Sequence, residues 1–223
     1  MTRLTRKERL LDLYQRLLTA FGPQGWWPGE TPFEVAVGAI LTQNTSWVNV
    51  ARVIEGLKNE GSLDPAVLGK FPEAELARRF RSAGYYNIKA RRVKNFLDFL
   101  ARRFGNSMER MAREDWPALR GELLGLKGIG PETADSILLY ALDKPTFVVD
   151  AYTFRVLSRH GLAADPCSHE ELRQLFMDHL PPEVPLYQEY HALLVQVGKI
   201  FCRPQPRCSG CPLENWPGTA SAL

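Results

Sequence analysis

The sequence predicts an all-α protein. Apolar residues recur at helical spacing along nearly the whole chain, and proline or glycine punctuates most of those runs. The one strand-like run, Thr146-Phe147-Val148-Val149, is too short to build a sheet. The first stripe, Leu10, Leu11, Leu13, Tyr14, Leu17 and Leu18, is stopped by Phe21-Gly22-Pro23. Thr31-Pro32 opens a second helix: threonine accepts from free amides at the cap, and proline sits where its missing N–H is not needed. Phe33, Val35, Ala36, Val37, Ile40 and Leu41 supply its apolar content. Further helical patterns cover residues 46–58, 73–82, 87–104, 115–124, 131–143, 150–160, 168–179 and 185–200. Pro65, Pro72, Gly84, Gly105, Gly161 and Pro181-Pro182 mark their boundaries.

The 223 residues are 45% hydrophobic and 24% charged, which excludes disordered and fibrous classes and leaves room for one large or two small domains. No apolar run is long enough to span a bilayer, and Met1 to Lys7 lead into charge rather than an apolar segment. A cytoplasmic protein without a membrane partner is therefore expected. Net charge is only +3, but Arg78, Arg79, Arg81, Lys89, Arg91, Arg92, Lys94, Arg102 and Arg103 crowd into one stretch. Such a cluster permits nucleic acid without demanding it, since solvated helix faces look alike. Three of the four cysteines, Cys202, Cys208 and Cys211, fall within ten residues, and Cys167 stands apart. In a chain without a secretory signal that spacing points to a metal site more than to disulfides.

Two segments carry chemistry. In Leu126-Lys127-Gly128-Ile129-Gly130-Pro131-Glu132-Thr133-Ala134-Asp135, two glycines flank one apolar anchor between helical patterns. Glycine permits a tight turn and close approach of a ligand, and amides at a following helix start suit a phosphate. The second segment is Phe147-Val148-Val149-Asp150-Ala151-Tyr152-Thr153, which sets an aspartate at a helix start. A lone aspartate there is ordinarily just an N-cap.

Together these segments resemble the helix-hairpin-helix and catalytic stretch of the endonuclease III superfamily of DNA glycosylases. The resemblance implies a two-lobed, all-α helix-hairpin-helix fold with a DNA cleft between the lobes. One lobe would span residues 24–145 and end with the hairpin; the other would join 1–23 to 146–223. It implies that Lys127, Gly128, Ile129, Gly130 and Thr133 grip the DNA backbone, and that Asp150 is the catalytic carboxylate. Such a carboxylate stabilises the positive charge that builds on the sugar as the base departs, and can deprotonate the attacking water. Bifunctional members carry a lysine eighteen positions before that aspartate, where this chain has Glu132. A carboxylate cannot form the imine that cuts the strand. Lys127 and Lys144 do not match that position. A monofunctional enzyme leaving an abasic site is expected, binding double-stranded DNA that contains a damaged base and acting as a monomer.

Leu41-Thr42-Gln43-Asn44-Thr45-Ser46-Trp47 is similar to the loop whose glutamine plugs the stack after base flipping, which falls on Gln43. Gly84 to Ala90 resembles a second family segment facing the gap in the DNA. Trp26-Trp27-Pro28 and Trp47 look like the 3-methyladenine DNA glycosylase subgroup, where indoles would stack on a cationic alkylated base. Packing aromatics would give the same residues. Other lesions, oxidised pyrimidines or mismatched uracil and thymine, remain alternatives, as does a non-catalytic DNA-structure binder. Cys202-x5-Cys208-x2-Cys211 resembles the family's 4Fe-4S loop, but its first interval is one residue short and the fourth position falls on Pro217. That leaves either a degenerate remnant with reduced thiols or a cluster with an unusual fourth ligand. Arg203 and Arg207 beside it are candidate phosphate contacts.

Overall fold

The computed structural model describes residues 4–164 and 166–216, and all regular structure among them is helical. It divides into two compact units, Trp27–Lys144 and a second made of the residues up to Trp26 with those from Pro145 on. No helix among the described residues is long and apolar enough to cross a membrane.

The contiguous unit holds α2 (Pro32–Leu41), α3 (Trp47–Asn59), α4 (Pro65–Leu68), α5 (Glu73–Arg79), α6 (Tyr86–Phe104), α7 (Met108–Ala112), α8 (Trp116–Leu124) and α9 (Pro131–Ser136). Helix α2 starts as its sequence demands: Thr31 Oγ1 accepts from Glu34 N at 3.1 Å, with Pro32 in the first turn. Phe33 to Leu41 are all buried, so α2 is apolar all round and forms the centre of this unit. Its one carboxylate, Glu34, is offset by Lys58 Nζ at 2.9 Å. A π-helical turn, Ile137–Ala141, continues α9, and all five of its residues are buried. The single-turn helices α4 and α7 are too short to show a periodicity. Their caps make them: Asp64 accepts from Ala66 N and Val67 N, and Ser107 from Arg110 N.

The discontinuous unit holds α1 (Arg6–Phe21), α10 (Ala151–Arg159), α11 (His169–His179) and α12 (Val184–Ile200). Thr5 and Ser168 close full capping boxes on α1 and α11, with Glu8 and Glu171 reaching back. Leu10, Leu13 and Leu17 bury one stripe of α1, and Tyr190 Oη on α12 donates to Leu10 O at 2.8 Å. Residues Thr146–Val149 pass buried through the core with no regular secondary structure. Phe147 stacks on Phe176 with centroids 3.6 Å apart and meets Tyr187 and Tyr190 edge-on. This buried segment delivers the chain to Asp150 at a fixed point. Helix α10 then lies close on α12 because Gly198 has no side chain; a Cβ there would stand 2.4 Å from Tyr152 Cδ1.

Candidate functional site

The hairpin between α8 and α9 is built from its backbone acceptors outward. Gly128 has φ of 97°, a conformation other residues rarely adopt, and Ile129 is buried beneath the turn. The carbonyl of Leu126 accepts from Ile129 N, and that of Gly130 from Ala134 N. Asn95 Nδ2 on α6 donates to Lys127 O at 2.8 Å, and Gln43 Nε2 donates to Gly128 O at 3.0 Å. With these carbonyls drawn into the protein, their negative ends do not oppose an anion at the turn. Lys127, Gly130 and Glu132 are exposed, while Thr133 is buried. The two helices are locked together by a bidentate pair, Arg120 Nε and Nη2 to Asp135 Oδ1 and Oδ2 at 2.7 and 3.0 Å.

Gln43 is thus part of the hairpin's support. Its amide also donates to Thr133 Oγ1 at 2.8 Å, and its carbonyl oxygen accepts from Arg92 Nη1. Of the tryptophans, Trp27 and Trp47 come together, centroids 5.5 Å apart and edge to face, with Tyr140 at 5.4 Å from Trp27. Tyr140 was not singled out in the sequence, where it reads as ordinary helix content. Pro28 is exposed. Trp26 belongs to the other unit, where Lys199 Nζ lies 5.2 Å from its ring centroid.

Asp150 is the N-cap of α10, and its side chain is 10% exposed. Oδ1 accepts from Thr153 N at 2.7 Å and Thr153 Oγ1 at 2.9 Å. That leaves Oδ2 for other work. His191 Nε2 on α12 stands 3.7 Å from Oδ2, too long for a hydrogen bond, so the pair attracts through charge when the imidazole is protonated. Burial pushes the carboxyl up, but His191 and the two Thr153 donors outweigh it and hold Asp150 below its ordinary value. A carboxyl depressed on folding contributes stability above the unfolded value, and that contribution is lost as pH falls through the folded one. The ionised form therefore persists below the usual carboxylate range. Replacing His191 by Gln is expected to move the acid limb of a single-turnover pH profile upward; an unmoved limb would remove His191 from the site. Sequence spacing could not have found His191, which sits 41 positions from Asp150 on the core face of α12.

The cysteine loop does not fit a four-thiolate cluster. Among the described residues no group of three or more His, Cys, Asp or Glu side chains is arranged to hold a metal ion. Cys202 is buried, with Arg159 Nη1 at 3.4 Å from its sulfur, while Cys208 is exposed. Burial, together with Cys202, Cys208 and Glu214 nearby, pushes the Cys211 thiol up against one lowering contact from Leu213. Cys167 precedes the cap of α11 with its sulfur 3.6 Å from Ser168 O, and Pro217 lies outside the described residues. Arginines shape the loop instead. Arg155 Nε donates to Cys202 O at 2.5 Å, and Arg159 donates to Arg203 O and Pro204 O at 2.6 and 2.8 Å.

Comparison with known proteins agrees with this geometry. The family described as HhH-GPD superfamily base excision DNA repair protein matches residues 37–182. A provisionally named DNA repair glycosylase of Methanocaldococcus jannaschii is 47% identical over 94% of this chain and 96% of its own. Endonuclease III of Thermotoga maritima is 28% identical over 82% of this chain and 81% of its own. Among solved structures, the H. pylori 3-methyladenine DNA glycosylase bound to 1,N6-ethenoadenine superposes with a TM-score of 0.76 at 30% identity, covering 88% of this chain and 98% of that one. An endonuclease III–DNA complex superposes with a TM-score of 0.79 at 25% identity, covering 95% and 94%. The chain belongs to the HhH-GPD superfamily of base excision DNA repair proteins and is a DNA glycosylase of that superfamily.

Proposed function

We propose that the chain is a monofunctional glycosylase that hydrolyses the N-glycosidic bond of a flipped, alkylated purine such as 3-methyladenine in duplex DNA, leaving an abasic site. The observation that carries this reading is a carboxylate held ionised at Asp150, with a second carboxylate, Glu132, where a strand-cutting member would place its amine. An N3-alkylated adenine is cationic and departs with little help, so the main demand falls on the sugar. Asp150 Oδ2 stabilises the positive charge developing there and accepts a proton from the attacking water, while Oδ1 stays committed to Thr153. The hairpin holds the backbone, and the cost of extrusion is lower for a weakly paired damaged base than for a normal one.

Selection of a cationic ring is supported by the indole faces of Trp27 and Trp47 beside Tyr140. The similarity to the H. pylori enzyme over nearly its full length supports the same lesion class. The test is base release from methylated duplex DNA with the products identified, run beside a borohydride reduction. Free 3-methyladenine and no covalent protein–DNA adduct are expected. Release of oxidised pyrimidines in place of alkylated purines would overturn the specificity. Efficient borohydride trapping would overturn the monofunctional assignment, and no base release from any damaged duplex would leave a non-catalytic DNA-structure binder.

A further inference from the structure

The basic stretch that crowds residues 78–103 is mostly neutralised when folded. Arg78 and Arg79 pair with Glu75, Arg79 also with Glu60, Arg91 with Glu73, Lys94 with Asp98, and Arg103 with Glu122 and Glu114. Arg92 differs. The partner it has here is the neutral amide oxygen of Gln43, and its side chain lies directly across the hairpin, where a Cβ on Gly128 would stand 2.4 Å from Arg92 Cγ and 3.0 Å from Nε. Its stem is half-buried, which spares side-chain entropy when the head binds a ligand. A guanidinium held by a neutral acceptor keeps its full charge and leaves further N–H groups for another acceptor.

We propose that Arg92 is a phosphate-binding residue: its guanidinium and the Gly128–Gly130 turn together take one phosphodiester of the DNA strand. The inference rests on the DNA glycosylase reading and extends it to one residue of the basic stretch, on a helix 36 residues before the hairpin, which the sequence did not tie to the turn. A second observation agrees with an uncancelled charge. Lys89, buried and donating to Ala83 O at 2.7 Å, is pushed down to about 8 by its burial and then by the nearby Arg92. The arrangement also links two events, because a phosphate that draws Arg92 toward itself withdraws the donor to the Gln43 amide oxygen, leaving Gln43 on the hairpin through its own Nε2 bonds to Gly128 O and Thr133 Oγ1.

The test is equilibrium binding to undamaged duplex DNA across a salt series. Each neutralised phosphate contributes about 0.9 to the slope of log affinity against log salt. Arg92→Gln is expected to lower the slope by about that amount, so the deficit of the variant shrinks about 3.5-fold between roughly 50 and 200 mM salt. Arg92→Lys is expected to restore the slope. If Arg92→Gln does not fold, Arg92→Met removes the charge while keeping an apolar stem, with the same expected fall. A wild-type slope in the folded Arg92→Gln protein, or in Arg92→Met, would overturn the inference alone. No DNA binding by the wild-type chain would overturn the glycosylase reading and this inference with it.

Discussion

Replacing Asp150 by asparagine is expected to lower single-turnover base release by at least about 100-fold, the scale seen when one charge-stabilising group is removed from an active site. The substitution separates chemistry from architecture. Asparagine is as good an N-cap as aspartate, so its Oδ1 still accepts from Thr153 N and Thr153 Oγ1, and α10 keeps its start. The negative charge, proposed to face the sugar, is what disappears. Asp150→Ala would instead remove the cap as well, at about 1 kcal/mol, and mix the two effects. The checks are a quench-flow excision assay, a denaturation curve and a DNA-binding isotherm, with only the first expected to change greatly. Excision retained in the purified Asn variant would remove Asp150 from the mechanism.

The largest effect on stability is expected from Arg120→Met. Asp135 has a side-chain exposure of 0% and is held bidentately by Arg120, itself only 12% exposed. Methionine fills much of the arginine's volume but removes two hydrogen bonds and the opposite charge from a buried carboxylate. Removing one member of such a pair costs about 3–5 kcal/mol, a large part of the roughly 5–15 kcal/mol that holds an ordinary domain together. The measurement is the urea midpoint at constant m-value. A double replacement, Arg120→Met with Asp135→Leu, is expected to recover much of the loss because the buried charge is then removed with its partner. A loss below about 1 kcal/mol in the single variant would show that water reaches Asp135. Since the pair joins the helices on either side of the hairpin, the same variant is expected to weaken DNA binding before it unfolds.

Helix positions were legible wherever apolar spacing and cap chemistry agreed. Thr31-Pro32 announced α2, and glycine or proline marked most helix ends. The single-turn helices α4 and α7 escaped because a four- or five-residue helix shows no period, and its cap reads as loop composition. The candidate site divides along the same physical line. Residues tied to a local pattern, such as the Gly128–Gly130 turn and an aspartate opening a helix, can be read from neighbours in the chain. Residues joined through space cannot. His191 beside Asp150, Asn95 and Gln43 on the hairpin carbonyls, and Arg120 on Asp135 are separated in sequence by 15 to 85 positions. Nothing in their spacing distinguishes them from core or surface residues of the same type.

The unit that contains Asp150 takes its first helix from one end of the chain and its last anchor from the other. Trp216, 1% exposed, donates from Nε1 to Asp12 Oδ2 at 2.5 Å while Arg9 lies over its ring at 5.2 Å. During synthesis the contiguous Trp27–Lys144 unit has all its contacts as soon as it clears the ribosome. Helix α1 must wait for α12, whose Tyr190 bonds Leu10 O, and for Trp216, which bonds Asp12, before its packing is complete. Termination between Lys144 and His191 would therefore release a product that has the hairpin residues but lacks at least His191 of the Asp150 site.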